Sequence, residues 1–386
     1  MNQLAQIERP VNTVRAIAFY LPQFHPIPEN DEWWGKGFTD WANVAKAKPL
    51  FKGHYQPHLP ADLGFYDLRL PEVREAQANL AREYGIHGFC YYHYWFNGRR
   101  LLERPVNEIL ASGQPDFPFC LCWANENWTR RWDGLEKDIL LAQNYCDEDD
   151  LKHIRWLAGV FRDPRYIRVN ERPLFMVYRL SKLPNPARTL ELWRNEARHL
   201  GIGDIFICNV EGLKSEENMV GKCGLDGAVE FAPDWNRLPP PKNSPRNWRE
   251  RLLGNHTRIH RLCAELGLVK PRQPENLPIR SYLGLVASML AKDHPPYLRF
   301  PCVTPSWDNT ARSAYLILEG STPLIYRQWP EKVLQQARLR QGSEPIVFIN
   351  AWNEWAEGNH LEPCQRWGLQ YLEATQRALT APPVNK

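Results

Sequence analysis

Short apolar runs that favour β-strands alternate with helical patterns along almost the whole chain. The eight runs lie at 16–21, 88–95, 117–123, 173–178, 205–210, 227–231, 301–306 and 346–351. Helical patterns lie at 71–81, 104–111, 149–161, 187–200 and 365–378. Strands that alternate with helices favour a parallel sheet covered by helices. Eight such runs in 386 residues predict an α/β fold, a single (β/α)8 TIM barrel with long loop insertions.

The predicted barrel covers residues 16–380, after an N-terminal extension at residues 1–15. Residues 236–299 contain three consecutive prolines and many basic residues, which is typical of an insertion rather than a separate domain. No G-x-G-x-x-G follows the first run, and G-x-x-x-x-G-K-[ST] does not occur. Neither familiar loop for binding a nucleotide phosphate is therefore predicted.

Charge and hydropathy exclude several classes of protein. The 48 Lys and Arg residues exceed the 44 Asp and Glu residues by only four, and they are dispersed, so no nucleic-acid partner is expected. No run approaches 18 apolar residues, so no transmembrane segment is expected. The N-terminus lacks the layout of a secretion signal, and several of the nine cysteines lie inside apolar runs. These features predict a cytoplasmic protein with reduced thiols.

Cys120 and Cys122 form a C-x-C pair on the third predicted strand. No second pair with zinc spacing accompanies them, so no metal site is predicted, and no other cofactor is expected.

The aromatic content is high, at 16 Trp, 15 Tyr and 15 Phe. Such an excess indicates either a heavy core or a surface that stacks flat rings against sugars. Composition alone leaves both interpretations open.

Polar and aromatic side chains stand where the predicted strands end. In a barrel of this kind the active site lies at the carboxyl ends of the strands. The residues at these ends are Gln23 and His25; His93 and Trp95; Trp123, Asn125, Glu126, Asn127 and Trp128; Tyr178 and Arg179; Glu211; Glu230 and Asp234; Trp307 and Asp308; and Asn353, Glu354 and Glu357. This accumulation predicts a polar, aromatic-rich site at one end of the barrel.

Two glutamates follow the last predicted strand in the segment N-A-W-N-E-W-A-E-G, residues 350 to 358. On a helical turn, the Cβ atoms of Glu354 and Glu357 would lie about 5–6 Å apart. Retaining glycosidases hold their two carboxyl groups at about that separation. Repulsion between the carboxylates and the flanking indoles of Trp352 and Trp355 would raise the pKa of one of them. The alternative is a pair of solvated acids at a helix start.

Other strand-end residues have two interpretations each. Glu126 either binds a substrate or forms a loop ion pair with Arg130 or Arg131. His93 either contacts a substrate or packs against the barrel. The tryptophan-rich loop at 33–41, which includes Trp34 and Trp41, favours substrate stacking over a packed flap.

Five long motifs together resemble the WbsX family of polysaccharide-biosynthesis proteins, which is related to the endo-α-mannosidases of glycoside hydrolase family 99. The motifs are F-Y-L-P-Q-F-H-P-I-P-E-N-D-E-W-W-G-K-G-F-T-D-W, Q-P-H-L-P-A-D-L-G-F-Y-D-L, Y-G-I-H-G-F-C-Y-Y-H-Y-W-F, C-W-A-N-E-N-W-T-R-R-W-D-G and N-A-W-N-E-W-A-E-G-N-H-L-E-P. The resemblance covers about residues 15 to 375. Asp40 stands where G-F-T-E-W would have glutamate, so the acid is kept.

The resemblance implies a (β/α)8 barrel and a retaining mechanism, through a 1,2-anhydro sugar, on α-linked, mannose-like residues. It assigns Glu354 as the base that takes the proton of the 2-hydroxyl, and Glu357 as the acid and base at the glycosidic oxygen. The candidate substrate-binding residues are Tyr20, His25, Trp34, Trp41, His93, Trp95, Trp123, Asn125, Glu126, Trp128, Tyr178, Glu230, Trp307, Asn353 and Trp355.

The expected substrate is an oligosaccharide or polysaccharide, such as a surface polysaccharide, a lipopolysaccharide O-antigen or a precursor of one. The direction of reaction stays open between hydrolysis and transglycosylation. The two alternatives are a glycosyltransferase of O-antigen or lipopolysaccharide biosynthesis and a non-catalytic glycan-binding barrel.

Overall fold

The computed structural model describes residues 14–130, 135–242, 277–312, 316–341 and 345–382. The strands are β1 Arg15–Tyr20, β2 Gly88–Phe96, β3 Arg99–Leu101, β4 Phe119–Trp123, β5 Trp128–Arg130, β6 Leu135–Leu141, β7 Arg168–Val169, β8 Arg172–Val177, β9 Phe206–Glu211, β10 Gly227–Glu230, β11 Ile279–Ser281, β12 Arg299–Phe300, β13 Cys302–Val303, β14 Ile317–Glu319, β15 Ile346–Ile349, β16 Asn353–Glu354 and β17 Asn359–His360. The helices are α1 Pro28–Trp34, α2 Trp41–Lys46, α3 Pro71–Glu83, α4 Arg104–Ser112, α5 Asp147–Phe161, α6 Pro186–His199, α7 Tyr282–Leu290, α8 Pro323–Arg340 and α9 Gln370–Thr380.

Parallel strands form the barrel in the order β12, β10, β9, β8, β4, β2, β1, β15 and β13. β12 and β13 are separated only by Pro301, which has no N–H to give to a ladder. β12 pairs with β10, and β13 pairs with β15, so this interrupted strand closes the ring. The predicted eight-stranded (β/α)8 fold is confirmed.

Aromatic rings fill the inside of the barrel. The ring of Phe19 stacks on Tyr92 with 5.6 Å between centroids, and it also contacts Phe231 and Phe348. Side chains alternate along a strand, so the neighbours of these residues face the helix layer. Tyr20 and Tyr91 illustrate this, because they contact each other outside the barrel.

Most predicted helices are present with small shifts of their ends, but two assignments change. The prediction at 365–378 is corrected to α9, which begins at Gln370. α8 was not predicted, and its buried Tyr326, Trp329, Val333 and Ala337 lie on one face despite the internal Pro330. α7 lies within the predicted insertion and supplies the helix between the sixth and seventh barrel strands.

Most of the predicted N-terminal extension and residues 243–276 of the predicted insertion lie outside the described residues. Among the helices of the described ranges, none has both the length and the apolar character that crossing a membrane requires.

Candidate active site

A tight hairpin places Glu354 and Glu357 together beyond the last barrel strand. β16 pairs with β17 in antiparallel fashion, and a 3-10 turn at Trp355–Glu357 joins them. This turn replaces the predicted α-helical turn. Gly358 ends it with a φ of 55°, and a Cβ there would lie 3.0 Å from Asp308, so glycine is needed for both reasons.

The guanidinium of Arg312 joins three carboxyl groups at this hairpin. Its Nη1 lies 2.9 Å from Oε1 of Glu357, and its Nη2 lies 3.3 Å from Oε2 of Glu354. The same group donates through Nη2 and Nε to the two oxygens of Asp40, at 2.6 and 3.2 Å. The two glutamates therefore face one point in space, on the same side of the barrel wall.

Burial and charge give the two glutamates different environments. The side chain of Glu354 is 8% exposed, whereas that of Glu357 is 22% exposed. Burial, followed by the charge of Glu357, raises the pKa of Glu354 to about 8, although Arg312 opposes the shift. The three surrounding carboxyls raise the pKa of Arg312, which stays charged. Glu354 thus holds a proton near neutrality.

Tyrosines from β2 and the end of β8 line the space in front of the glutamates. Burial raises the pKa values of Tyr92 and Tyr94, and the nearby charge of Glu354 adds to both shifts. The pKa of Tyr178 is raised by burial and then by Glu126 and Glu357. These phenols stay protonated and can donate hydrogen bonds.

Trp128 extends this aromatic wall. Its ring lies 5.2 Å from Tyr94 and 5.7 Å from Trp33, centroid to centroid. Trp33 and Trp34 end α1 rather than lying on the predicted loop, and Trp34 is half-buried and packs near Phe38. Flat rings at the rim suit the apolar faces of sugars.

A buried pair supports the backbone of Glu357 from behind. The N–H of Asp308 donates to the carbonyl of Glu357 at 2.7 Å, and Oδ2 of Asp308 lies 2.6 Å from Nε2 of His54. Leu50 N–H donates to Nδ1 of His54, so Nε2 carries the proton. Burial acts to raise the pKa of Asp308, but hydrogen bonds from His54 and Thr310 hold it below its usual value.

Three predicted binding residues support the hairpin instead of facing its open side. Asn353 exchanges two hydrogen bonds with the backbone of Leu21, which joins β16 to the residue after β1. Trp355 stacks on His360 and donates to Glu362 at 2.6 Å. Trp41 packs on Trp355 and donates to the carbonyl of Tyr66.

Four further candidates face the helix layer. Tyr20 donates to Gln77 on α3. His93 and Trp95 pack on His153 of α5, and Trp95 also donates to Asp149 at 3.0 Å. The ring of Trp123 lies 4.8 Å from that of His153. Their odd or even positions in the strands turn them away from the barrel mouth.

His25 and Glu230 also lie away from the carboxyl cluster. Burial lowers the pKa of His25 to about 4, and its charged neighbours include Asp67 and Arg69. Glu230 pairs with Lys292 at 3.1 Å and borders a cavity of about 450 Å³ that α7 and α8 enclose outside the barrel. These two and the four helix-facing residues therefore lie outside the proposed site.

Asn125, Glu126 and Trp307 lie along the rim. Asn125 is fully buried and exchanges two hydrogen bonds with the backbone of Arg179. Glu126, whose side chain is 39% exposed, pairs with Nη1 of Arg179 at 2.6 Å. The side chains of Arg130 and Arg131, the two partners suggested by the sequence, lie outside the described residues. Trp307 packs edge-to-face on Trp235.

Sequence reasoning overlooked the residue that joins the site. Arg312 follows β13 by nine positions and stands in no strand-end segment. The sequence offered one signal for it. The strand-end residues include more acids than bases, and carboxylates buried together need a cation to pair with. Among the described residues, no group of three or more His, Cys, Asp or Glu side chains is arranged to hold a metal ion.

The fold and the site together define the class of this protein: it is a (β/α)8 barrel with a cluster of carboxyl groups at the carboxyl ends of its strands. The model of the family described as "Glycosyltransferase WbsX" matches residues 16–375. The chain therefore belongs to the WbsX glycosyltransferase family.

Relatives named "Uncharacterized protein WxcX", from two strains of Xanthomonas campestris pv. campestris, are each 44% identical to the chain over 370 residues. The match covers 95% of the chain and 50% of each relative. The chain thus spans about half the length of the curated relatives it matches.

Solved structures share the fold. A "Glycoside hydrolase-like protein" has a TM-score of 0.54 at 12% identity, with 97% of each chain covered. A GH99 endo-α-mannosidase from Bacteroides thetaiotaomicron, in complex with bis-tris-propane, has a TM-score of 0.51 at 16% identity, with 95% of this chain and 96% of that chain covered. At these identities the likeness concerns the fold alone.

Proposed function

We propose that this chain is a carbohydrate-active enzyme that cleaves or transfers an α-linked, mannose-like residue of a surface polysaccharide or its precursor, with retention of configuration. One observation carries the proposal. Glu354 and Glu357 reach the same guanidinium, in front of tyrosine and tryptophan rings at the carboxyl end of the barrel. Two carboxyls of unequal environment beside an aromatic wall suit acid and base work on a glycosidic bond.

In the first step Glu354 takes the proton of the sugar's 2-hydroxyl, and the oxygen attacks C1 to form a 1,2-anhydro sugar. The C1–O bond to the leaving group breaks, and Glu357 gives its proton to the departing oxygen. A carboxyl whose pKa is raised to about 8 is a stronger base than an ordinary carboxylate.

In the second step Glu357 takes a proton from an incoming hydroxyl, whose oxygen attacks C1. The bond from C1 to the 2-oxygen breaks, and Glu354 returns a proton to that oxygen. Water as acceptor gives hydrolysis, and a sugar hydroxyl gives transfer. Both glutamates return to their starting states.

Substrate contact would place the proton correctly for the first step. A 2-hydroxyl that donates to Glu354 favours its carboxylate form, and a glycosidic oxygen that accepts from Glu357 favours its acid form. The phenols of Tyr94 and Tyr178 are available to hydrogen-bond sugar hydroxyls.

The test uses Glu357→Gln, which keeps the size of the side chain but removes the acid. We expect loss of turnover on oligosaccharides from the surface polysaccharide of the source organism, with binding retained in calorimetry. Glu373→Gln on α9, which removes an exposed ion pair with Arg377, serves as the matched control. Unchanged turnover by Glu357→Gln would remove this residue from the mechanism.

A second candidate follows from the description of the family as glycosyltransferases. In that case the donor is a sugar nucleotide, and each turnover releases a nucleoside diphosphate. A coupled assay for that product, run with and without acceptor oligosaccharide, distinguishes the two reactions. Binding without turnover in either assay would support a glycan-binding barrel. The cytoplasmic location stays a prediction.

A further inference from the structure

Arg312 and Asp40 lie against the two proposed catalytic carboxyls, although neither was expected to act in the chemistry. Asp40 is fully buried directly before α2, and Arg312 follows a 3-10 turn at Asn309–Ala311. Their bidentate contact joins parts of the chain that are 272 residues apart. A bidentate arginine–carboxylate pair has a fixed geometry, so Arg312 has little freedom to turn away.

We propose that Arg312 and Asp40 are positioning residues that together set the protonation state of the Glu354 and Glu357 pair. Arg312 favours the ionised forms of both glutamates. Asp40 takes up part of the positive charge of Arg312 and limits that effect. This inference rests on the proposed function, because it concerns the same two glutamates.

The chemistry requires one proton on the pair at the start of each turnover. Two interacting carboxyls lose their protons in two steps that belong to the pair. The active form is the one that exists between these steps. A nearby cation lowers both steps, and a nearby anion raises both. The two positioning residues therefore act with opposite sign on the same pH window.

The distances also divide the effect of Arg312 unevenly between the glutamates. Nη1 lies 2.9 Å from Glu357, whereas Nη2 lies 3.3 Å from Glu354 and is shared with Asp40 at 2.6 Å. Glu357 thus accepts the shorter hydrogen bond from Arg312, whereas Glu354 is the more deeply buried of the two carboxyls. The proton of the pair then resides on the buried Glu354 until a substrate arrives.

Other titratable and charged groups also face the pair. They are Tyr92 and Tyr94 on β2, Tyr178 at the end of β8 with its neighbour Glu126, and the His54–Asp308 pair behind Glu357. Burial raises the pKa values of the three phenols, so they carry no charge near neutrality. A shift seen in the variants is therefore attributable to the charge removed.

The experiment compares the pH profile of kcat/KM for Arg312→Gln, Arg312→Lys and Asp40→Asn on one oligosaccharide. We expect Arg312→Gln to move both limbs to higher pH by about 1–3 units, the usual effect of one close opposite charge. Asp40→Asn is expected to move both limbs to lower pH. Arg312→Lys keeps the charge and should lie between wild type and Arg312→Gln. Arg377→Gln on α9 is the control with an unshifted profile.

Lower activity without a shift, or shifts of the same sign in Arg312→Gln and Asp40→Asn, would overturn the inference, since a purely structural role predicts either. If circular dichroism shows Arg312→Gln to be unfolded, the signs for Arg312→Lys and Asp40→Asn decide. Turnover retained by Glu357→Gln overturns the proposed function and this inference with it. An inactive Glu357→Gln with unshifted profiles in the other variants overturns this inference alone.

Discussion

Two regions at the strand ends are built from similar residue types and have different structural surroundings. At the mouth, carboxyls and a guanidinium meet in front of Tyr94 and Trp128. Outside the barrel, His93, Trp95 and His153 form a closed cluster with α5. Tyr94 and Trp95 are adjacent in sequence, yet they belong to different regions. The direction of the side chain, more than its chemistry, separates the candidate site from the core.

The largest effect that this comparison predicts is on activity, at the mouth. Glu354→Gln should lower kcat/KM by about 10²–10⁴-fold, the usual contribution of a general base. Thermal stability should not fall, because the change removes a buried acid that lies beside two other carboxyls. Steady-state kinetics and calorimetry measure the two effects. A large loss of melting temperature with normal kinetics would assign Glu354 to the core instead.

The helix-facing cluster of His93, Trp95 and His153 should show the opposite response, in which stability falls and activity is kept. Trp95→Phe keeps the stacking ring but removes the N–H that Asp149 accepts. We expect the free energy of unfolding to fall by about 1–3 kcal/mol, the cost of leaving a buried acceptor unpaired. Turnover per folded molecule should be unchanged.

Denaturant titration and steady-state kinetics measure this variant, with Trp128→Phe as the matched change at the mouth. A raised KM for Trp95→Phe, with unchanged stability, would place Trp95 against the substrate after all.

Buried carboxyls predict how stability depends on pH. Burial raises the pKa of Glu354 to about 8 and that of Glu362 to about 7, both above the values of an unfolded chain. The folded state then binds more protons than the unfolded state between about pH 4.5 and 8. This part of the stability is fully present at about pH 4 and is lost as the pH rises to 8. Each group contributes a slope of up to about 1.4 kcal/mol per pH unit.

Glu362→Gln separates the two contributions. Glu362 accepts from Tyr66, Gln77 and Trp355 beneath the hairpin and lies outside the proposed chemistry. The variant should flatten the fall in stability between about pH 5 and 7 and leave the upper part, due to Glu354. Denaturant titrations at several pH values measure this. An unchanged slope would mean that Glu362 is ionised in the folded protein at all these pH values.

The barrel and the position of Glu354 and Glu357 at its mouth could be predicted from the sequence alone, for physical reasons. Short apolar runs that alternate with helical patterns restrict the fold strongly, and acids directly after a barrel strand lie at the mouth of the barrel. The direction of a strand-end residue depends on where the pleat of each strand begins, which the run Y-Y-H-Y-W-F does not reveal. Ion pairs between residues far apart in the chain also could not be predicted from the sequence. Glu126 pairs with Arg179, 53 residues away, a partner that proximity in the sequence does not suggest.

The smallest predicted effect concerns Arg100, which we compare with Arg312 at the mouth. Arg100 stacks over Trp156 at 4.4 Å and donates to Asn107, beside the helix-facing cluster. Burial lowers its pKa, whereas the carboxyls around Arg312 raise the pKa of that residue. Arg100→Gln should therefore cost only about 0.5–1 kcal/mol, the value of a partly exposed cation–π contact. Its pH profile of kcat/KM should match wild type, because its hydrogen bond and its ring contact are with Asn107 and Trp156 and not with the two glutamates proposed as catalytic. A shifted profile for Arg100→Gln would show that a charge outside the barrel also changes the protonation of the glutamate pair. That result would contradict the separation of the two regions.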